Sequence, residues 1–188
     1  MKNMKIVLAS SSPRRKKIMD EIGLGYIVDP ANIDEEAVKC KTAEELARTL
    51  ALSKAETVAK RHKNSIVIGS DLVVSIQNQR IGKPRDKEDA KRILKMLRGK
   101  THQVITAVAV IDTANGKRAS GIGVAGITMK NYSDKEIDDY IATGEPMDKG
   151  GAYAIQGLGS KLIKSFSGDK EVVVGLPTKL LFKLLKGV

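Results

Sequence analysis

Tryptophan is absent from this chain, and aromatic residues make up only 3 % of it. A buried core therefore has to be assembled from Ile, Val, Leu, Ala and Met. The same scarcity disfavours nucleic acid as a partner, because single-stranded binders stack bases on aromatic rings. Cysteine occurs once, as Cys40, so no internal disulfide can form, which fits a reducing, cytoplasmic setting. Cys40 stands between Lys39 and Lys41 with nothing that convincingly lowers its pKa, and it reads as a bystander. The two histidines, His62 and His102, are far apart and neither has a second ligand at zinc spacing. No apolar run is long enough to cross a membrane, and the first apolar strand is too short for a signal-peptide core. A G-x-S-x-G elbow, a full Walker lysine loop and a dinucleotide fingerprint are all missing, which disfavours hydride chemistry and P-loop hydrolysis.

Acidic residues are the scarcer charge, leaving a net +11 that favours anionic partners. The lysines are spread rather than blocked, so most read as solvated surface. A few basic residues sit at odd places, and a nucleotide's phosphates would account for those. The length suits one sizeable domain or two small lobes sharing a cleft. No repeat, linker or low-complexity segment breaks the chain. Alternating strands and helices with an embedded hairpin predict a mixed α/β fold.

One stretch organises the reading: Leu8-Ala9-Ser10-Ser11-Ser12-Pro13-Arg14-Arg15. An apolar strand over 5–9 runs into three serines. Pro13 suits the first position of a helix, with Ser12 as N-cap accepting from a free N–H. Arg14 and Arg15 then fall in the first helical turn, where the macrodipole is positive and cations cost about 0.3–1 kcal/mol each. A bound anion reverses that sign, because free N–H groups, serine hydroxyls and two guanidinium forks would point at one place. The turn is read as a phosphate site, against the alternative of two solvated arginines.

Farther on, a strand over 26–28 leads into an acidic loop, 29–36, which is either a solvated turn or a place where Glu35 helps hold a divalent cation. Thr42 and Glu45 form a capping box opening a helix to about His62. On it Leu46, Leu50, Lys54 and Val58 share a face, so Lys54 interrupts an apolar stripe. It either snorkels out or meets an anion. Asp71 interrupts the apolar stretch after the strand at 65–69. A carboxylate there either caps backbone N–H groups or serves as a general base or metal ligand. A turn is expected over 77–80, and Pro84 holds Lys83 extended. Asp86 caps a helix to Leu97. Strands over 101–112 and 118–129, covered on both faces, flank an Asn115-Gly116 hairpin signal. Ser133 and Glu136 form a second capping box. The Gly-rich segment 144–157 is expected to hold a short strand. Within it Gln156 offers the donor and acceptor that read a nucleobase edge, or else is an exposed amide. Strands are expected at 162–166 and 172–174, with a last helix after Pro177.

LASSSPRR at 8–15, IDE at 33–35, LARTLALSKA at 46–55, IGSDLVV at 68–74, IGKP at 81–84, GEPMDKGGAYAIQG at 144–157 and VVVGLP at 172–177 occur in this order. Together they resemble the Maf family of nucleoside triphosphate pyrophosphatases over nearly the whole chain. The resemblance implies a single domain, 1–188, with a curved mixed sheet flanked by helices and two lobes around a deep cleft. That fold is similar to the inosine triphosphate pyrophosphatases. It further implies hydrolysis of a nucleoside triphosphate to monophosphate and pyrophosphate, a divalent cation (Mg²⁺ or Mn²⁺) and a homodimer. By motif, the proton acceptor falls on Asp71, and the other site residues on Ser10, Arg14, Arg15, Glu35, Lys54, Lys83 and Gln156. Asp71 and Glu35 would hold the metal. Members acting on dTTP and UTP carry an arginine and a glutamine matched by Arg14 and Gln156, but usually Gly-Ala-Asp-Thr where this chain has Gly69-Ser70-Asp71-Leu72. Leu72 lacks the hydroxyl at that base-choice position, and Ser167–Glu171 departs from the usual Gly-Ser-Tyr. Base preference stays open at this point. The alternatives are an inosine or xanthosine triphosphate pyrophosphatase, or a non-catalytic nucleotide- or nucleic-acid-binding regulator of septum formation.

Overall fold

The computed structural model describes residues 4–188; Met1, Lys2 and Asn3 lie outside the described residues. Strand β1 (Lys5–Leu8) leads into helix α1 (Pro13–Glu21), which ends before Gly23 and is followed by β2 (Tyr26–Val28). Helix α2 (Ala43–Ala59) begins at the expected capping box, with Thr42 accepting from the Glu45 N–H and Glu45 answering on the Thr42 N–H. It leads into β3 (Ser65–Ile76), β4 (Gln79–Ile81) and α3 (Lys87–Leu97), whose N-cap Asp86 accepts from the Asp89 N–H. The hairpin strands β5 (Thr101–Asp112) and β6 (Arg118–Met129) fall where the sequence puts them. Helix α4 (Asp134–Ala142) opens on the second capping box. Three 3₁₀ turns, at Glu145–Asp148, Gly150–Ala152 and Leu158–Leu162, lead to β7 (Ile163–Ser167), α5 (Lys170–Val174) and α6 (Thr178–Leu185).

The strands form one seven-stranded mixed sheet in the order β2-β1-β3-β5-β6-β7, with β4 on β3. Strand β1 is parallel to both β2 and β3, so Ile6 lies opposite Tyr26 on one side and Ile66 on the other. Strand β4 is antiparallel to β3, and β7 to β6.

The chain divides into two compact units. One comprises the described residues up to Leu72, with Ile105–Gly123 and Asp169–Val188. Its core joins Leu8, Ile18, Met19, Ile66, Ile68, Val108, Val110, Leu176 and Leu181, all buried aliphatic or Met side chains, as the lack of aromatics requires. The other comprises Val73–Val104 and Val124–Gly168. There α3 packs on α4, and Ile93, Leu94, Leu97, Ile137 and Ile141 are buried. Among the described residues no helix is long and apolar enough to cross a membrane.

Four local expectations need correction. Gln77 and Asn78 both adopt positive φ, 49° and 63°. That is the geometry of a two-residue hairpin turn, so residues 79–81 pair at once as β4 rather than extending the turn. Segment 172–174 is helical despite three valines. Asp169 caps it by accepting from the Glu171 N–H, and Gly175 at φ 104° ends it, so capping overrides β propensity. No strand forms in 144–157, because Gly151 and Ala152 have positive φ and the Ala154 N–H goes to the Tyr140 hydroxyl instead of a ladder. Finally, β6 is only partly covered: Val124 is exposed and several neighbours are half-buried.

Candidate active site

Helix α2 carries Ala47, Ala51 and Ala55 on its buried side, and these small residues let it lie close on β3. At Gly69 the approach is so tight that a Cβ would run into the Ala51 carbonyl oxygen and stand 2.8 Å from the Ala55 nitrogen. Two residues along β3, on the same face of the strand, is Asp71. Between Ala51 and Ala55 on the buried side of the helix is Lys54. The result is a buried ion pair: Lys54 Nζ lies 2.6 Å from Asp71 Oδ1, with the side chains 10 % and 8 % exposed. That exposure rules out snorkelling for Lys54.

The acidic loop supplies a second partner. Glu35 Oε1 is also 2.6 Å from Lys54 Nζ, though the Glu35 side chain is 42 % exposed. The loop is fixed at its start by Asp29, which takes Arg61 at 2.9 Å and His62 Nε2 at 2.7 Å from the end of the α2 segment. Lys54 thus sits between two carboxylates. Burial pushes the Asp71 carboxyl above the ordinary carboxylate range; Lys54 and Arg15 oppose the rise and Glu35 adds to it, with the balance upward.

The Ser10–Arg15 turn contributes unequally. Ser12 occupies the N-cap position, but its side chain caps nothing; its own N–H donates to Ser10 Oγ at 3.2 Å. Arg15 turns inward. Its Nη1 donates to Ser10 Oγ at 3.1 Å and its Nε to the Gly175 carbonyl at 3.0 Å. Burial lowers the Arg15 pKa, Asp71 opposes the fall and Arg14 adds to it. Arg14 stays exposed, so the two forks do not act alike: one is built into the fold and the other is free to meet solvent.

Ser70 was not singled out by the sequence, yet it ties this region together. Its hydroxyl lies 2.8 Å from the Gly175 carbonyl and 2.9 Å from that of Ala107. The Gly175 oxygen therefore accepts from Arg15 and lies within hydrogen-bond reach of the Ser70 hydroxyl, whose one proton the Gly175 and Ala107 carbonyls share. The buried serine's neighbours in sequence gave no sign of this, because both acceptors are remote backbone carbonyls. Leu72 lies on the same face of β3 as Ser70, opposite Asp71, and its Cδ1 faces Gly175.

Ser10, Arg15, Glu35, Lys54 and Asp71 are thus joined by direct contacts or by the field each exerts on the next. Lys83 and Gln156 belong to the second unit, and both are exposed there. His102 is buried, with Nε2 2.6 Å from the Tyr153 hydroxyl and the two rings edge-to-face at 5.4 Å. Burial lowers its pKa to about 4. Cys40 is exposed.

Fold and site together define a mixed α/β protein with a buried Asp–Lys pair beside a Ser/Arg turn at a strand-to-helix junction. The chain belongs to the Maf-like protein family, whose profile matches residues 5–188. It is 43 % identical over 181 residues to the dTTP/UTP pyrophosphatase of Dictyoglomus turgidum, covering 96 % of this chain and 94 % of that one. It is 39 % identical over 183 residues to the dTTP/UTP pyrophosphatase of Clostridioides difficile, covering 97 % and 94 %. The same-named protein of Aquifex aeolicus is 40 % identical, covering 97 % and 95 %. In fold, the chain is similar to the structure of the Staphylococcus aureus Ham1 protein, with a TM-score of 0.53 at 17 % identity, covering 96 % of this chain and 90 % of that one.

Proposed function

We propose that this chain is a nucleoside triphosphate pyrophosphatase. Water adds to the α-phosphorus, the bond to the α,β-bridging oxygen breaks, and a nucleoside monophosphate and pyrophosphate leave. dTTP and UTP are the proposed first substrates, because the relatives carry those names along the full length of the match. The observation that carries the reading is the buried Asp71, held by Lys54 and displaced in pKa toward the range where a carboxylate can take a proton from water.

In this reading Asp71 accepts the water's proton. Lys54 orients the Asp71 carboxylate and opposes the rise that burial imposes on its pKa. Arg15 holds the Ser10 turn and places positive charge near the transferred group, and Arg14 meets the phosphates from the exposed side. Such transfers are driven mostly by positioning and charge stabilisation. Lys83 and Gln156 are assigned by their motifs to phosphate and base, respectively.

The donor set suits a hard divalent cation. Glu35 Oε1 and Asp71 Oδ1 converge on one cationic point, now held by Lys54 Nζ. Among the described residues no group of three or more metal-ligating side chains stands together. Two carboxylates, completed by water and substrate phosphate oxygens, is a coordination that Mg²⁺ accepts. Glu35 and Asp71 would hold the ion, which when bound would neutralise phosphate charge. Pyrophosphate release, measured over dTTP, UTP, CTP, ITP and XTP with Mg²⁺ or Mn²⁺, tests the reading. No release from any of them would sink it.

A further inference from the structure

We infer that Glu145 and Tyr140 are positioning residues for base selection: they fix the turn on which Gln156 is presented. The inference rests on the reading of Gln156 as the base-facing amide, and all the residues concerned lie in the second unit.

Gln156 is exposed and sits in a bend between two 3₁₀ turns, outside any helix or strand. Something other than a hydrogen-bond ladder has to hold it, since an unrestrained amide on a loop would confer little discrimination. The side-chain bonds on either flank supply that restraint. Two residues before it, the Ala154 N–H donates to the Tyr140 hydroxyl at 3.3 Å. That hydroxyl donates in turn to Glu145 Oε2 at 2.8 Å. Two and three residues after Gln156, the N–H groups of Leu158 and Gly159 donate to the two oxygens of Glu145, at 3.1 and 2.8 Å. One carboxylate therefore staples both sides of the turn, directly on one side and through a phenol on the other. These bonds keep the carboxyl of Glu145 below its ordinary range despite partial burial.

The turn is shaped around that carboxylate. Gly157 follows Gln156 at φ +120°, and a Cβ there would collide with Glu145 Oε1 and meet its Cδ at 3.1 Å. Gly159 is as tightly enclosed: a Cβ would reach 2.5 Å from the Tyr140 hydroxyl and 2.8 Å from the Ala154 carbonyl. The two glycines are thus accounted for by the approach of the Tyr140–Glu145 pair. On the N-terminal side, Tyr153 is anchored separately by His102. Gln156 is an exposed side chain in a turn whose flanks are pinned.

The test uses the full-length protein and two substrates that differ only at the base edge an amide reads, UTP and CTP. Tyr140→Phe keeps the ring and removes only the hydroxyl; Glu145→Gln keeps the size and removes one acceptor. Each is expected to lower the UTP-over-CTP ratio of kcat/KM about tenfold, through KM for UTP, as small misplacements of a recognition group do. Amide hydrogen exchange at Ala154, Leu158 and Gly159 should accelerate in both. In a Gln156→Ala background neither substitution should change the ratio further. If Tyr140→Phe speeds exchange while the ratio holds, and Gln156→Ala alone collapses it, the positioning role is overturned and the base reading stands. If Gln156→Ala leaves the ratio unchanged, the base reading itself fails and takes this inference with it.

Discussion

Gly69 on β3 and Ala55 on α2 meet so closely that a Cβ on the glycine would lie 2.9 Å from the alanine's own. Lys54, the residue before Ala55, reaches Asp71, two residues after Gly69, because of this contact. Gly69→Ala is overpacked against backbone, which cannot swing away as a side chain can, and should destabilise the fold by about 1–3 kcal/mol or more. It should also push Lys54 off Asp71. Urea unfolding combined with pyrophosphate release checks both; parental stability would mean that the helix shifts without cost.

Asp71→Asn separates chemistry from stability. The ionised carboxylate is disfavoured in the fold by burial, and the amide removes that penalty while Glu35 still answers Lys54. Turnover should fall by about 100-fold or more, with a melting temperature at neutral pH equal to or above the parent's. Near-parental turnover would remove Asp71 from the proton-transfer step.

The neighbours of Asp71 make opposite predictions for pH dependence. A general base must be ionised, so activity falls as pH drops through its pKa, and burial places that acid limb above the ordinary aspartate range. Lys54 lowers the Asp71 pKa and Glu35 raises it. Residual activity of Lys54→Met should therefore show its acid limb at higher pH than the parent, and Glu35→Gln at lower pH. Profiles of log kcat/KM against pH decide it; two shifts in one direction would contradict the assignment.

His102 makes the fold acid-sensitive. Its pKa falls from 6.5 to about 4 on burial. Below pH 6.5 the unfolded chain takes the proton more readily than the folded one. Stability is therefore complete above that pH and is lost progressively as pH falls toward 4, by about 2 kcal/mol at pH 5. His102→Gln, which can still pair with Tyr153, should lose less melting temperature between pH 7 and pH 5 than the parent. An equal loss in both would assign the sensitivity to other groups.

Periodicity and punctuation determined most of the elements from sequence alone. Both capping boxes, the Asp86 cap, the long hairpin strands and the buried stripe on α2 depend on residues a few positions apart, and local spacing is what a sequence displays. The same locality misled at Val172–Val174, where three β-branched residues point to a strand and the deciding partners are an aspartate and a glycine on either side. It also marked Lys54 and Asp71 as polar groups out of place in apolar runs, without showing that each is the other's answer.

Only the tertiary structure decided those pairings. That Lys54 bridges Asp71 and Glu35, that Arg15 turns inward while Arg14 does not, and that one carbonyl, Gly175, gathers Arg15 and Ser70 are contacts across long stretches of chain. The energy of a buried charge depends on what stands within a few ångströms of it, and chain order does not encode that distance. Packing supplies it, and at this site it begins with a glycine small enough to let a helix reach a strand.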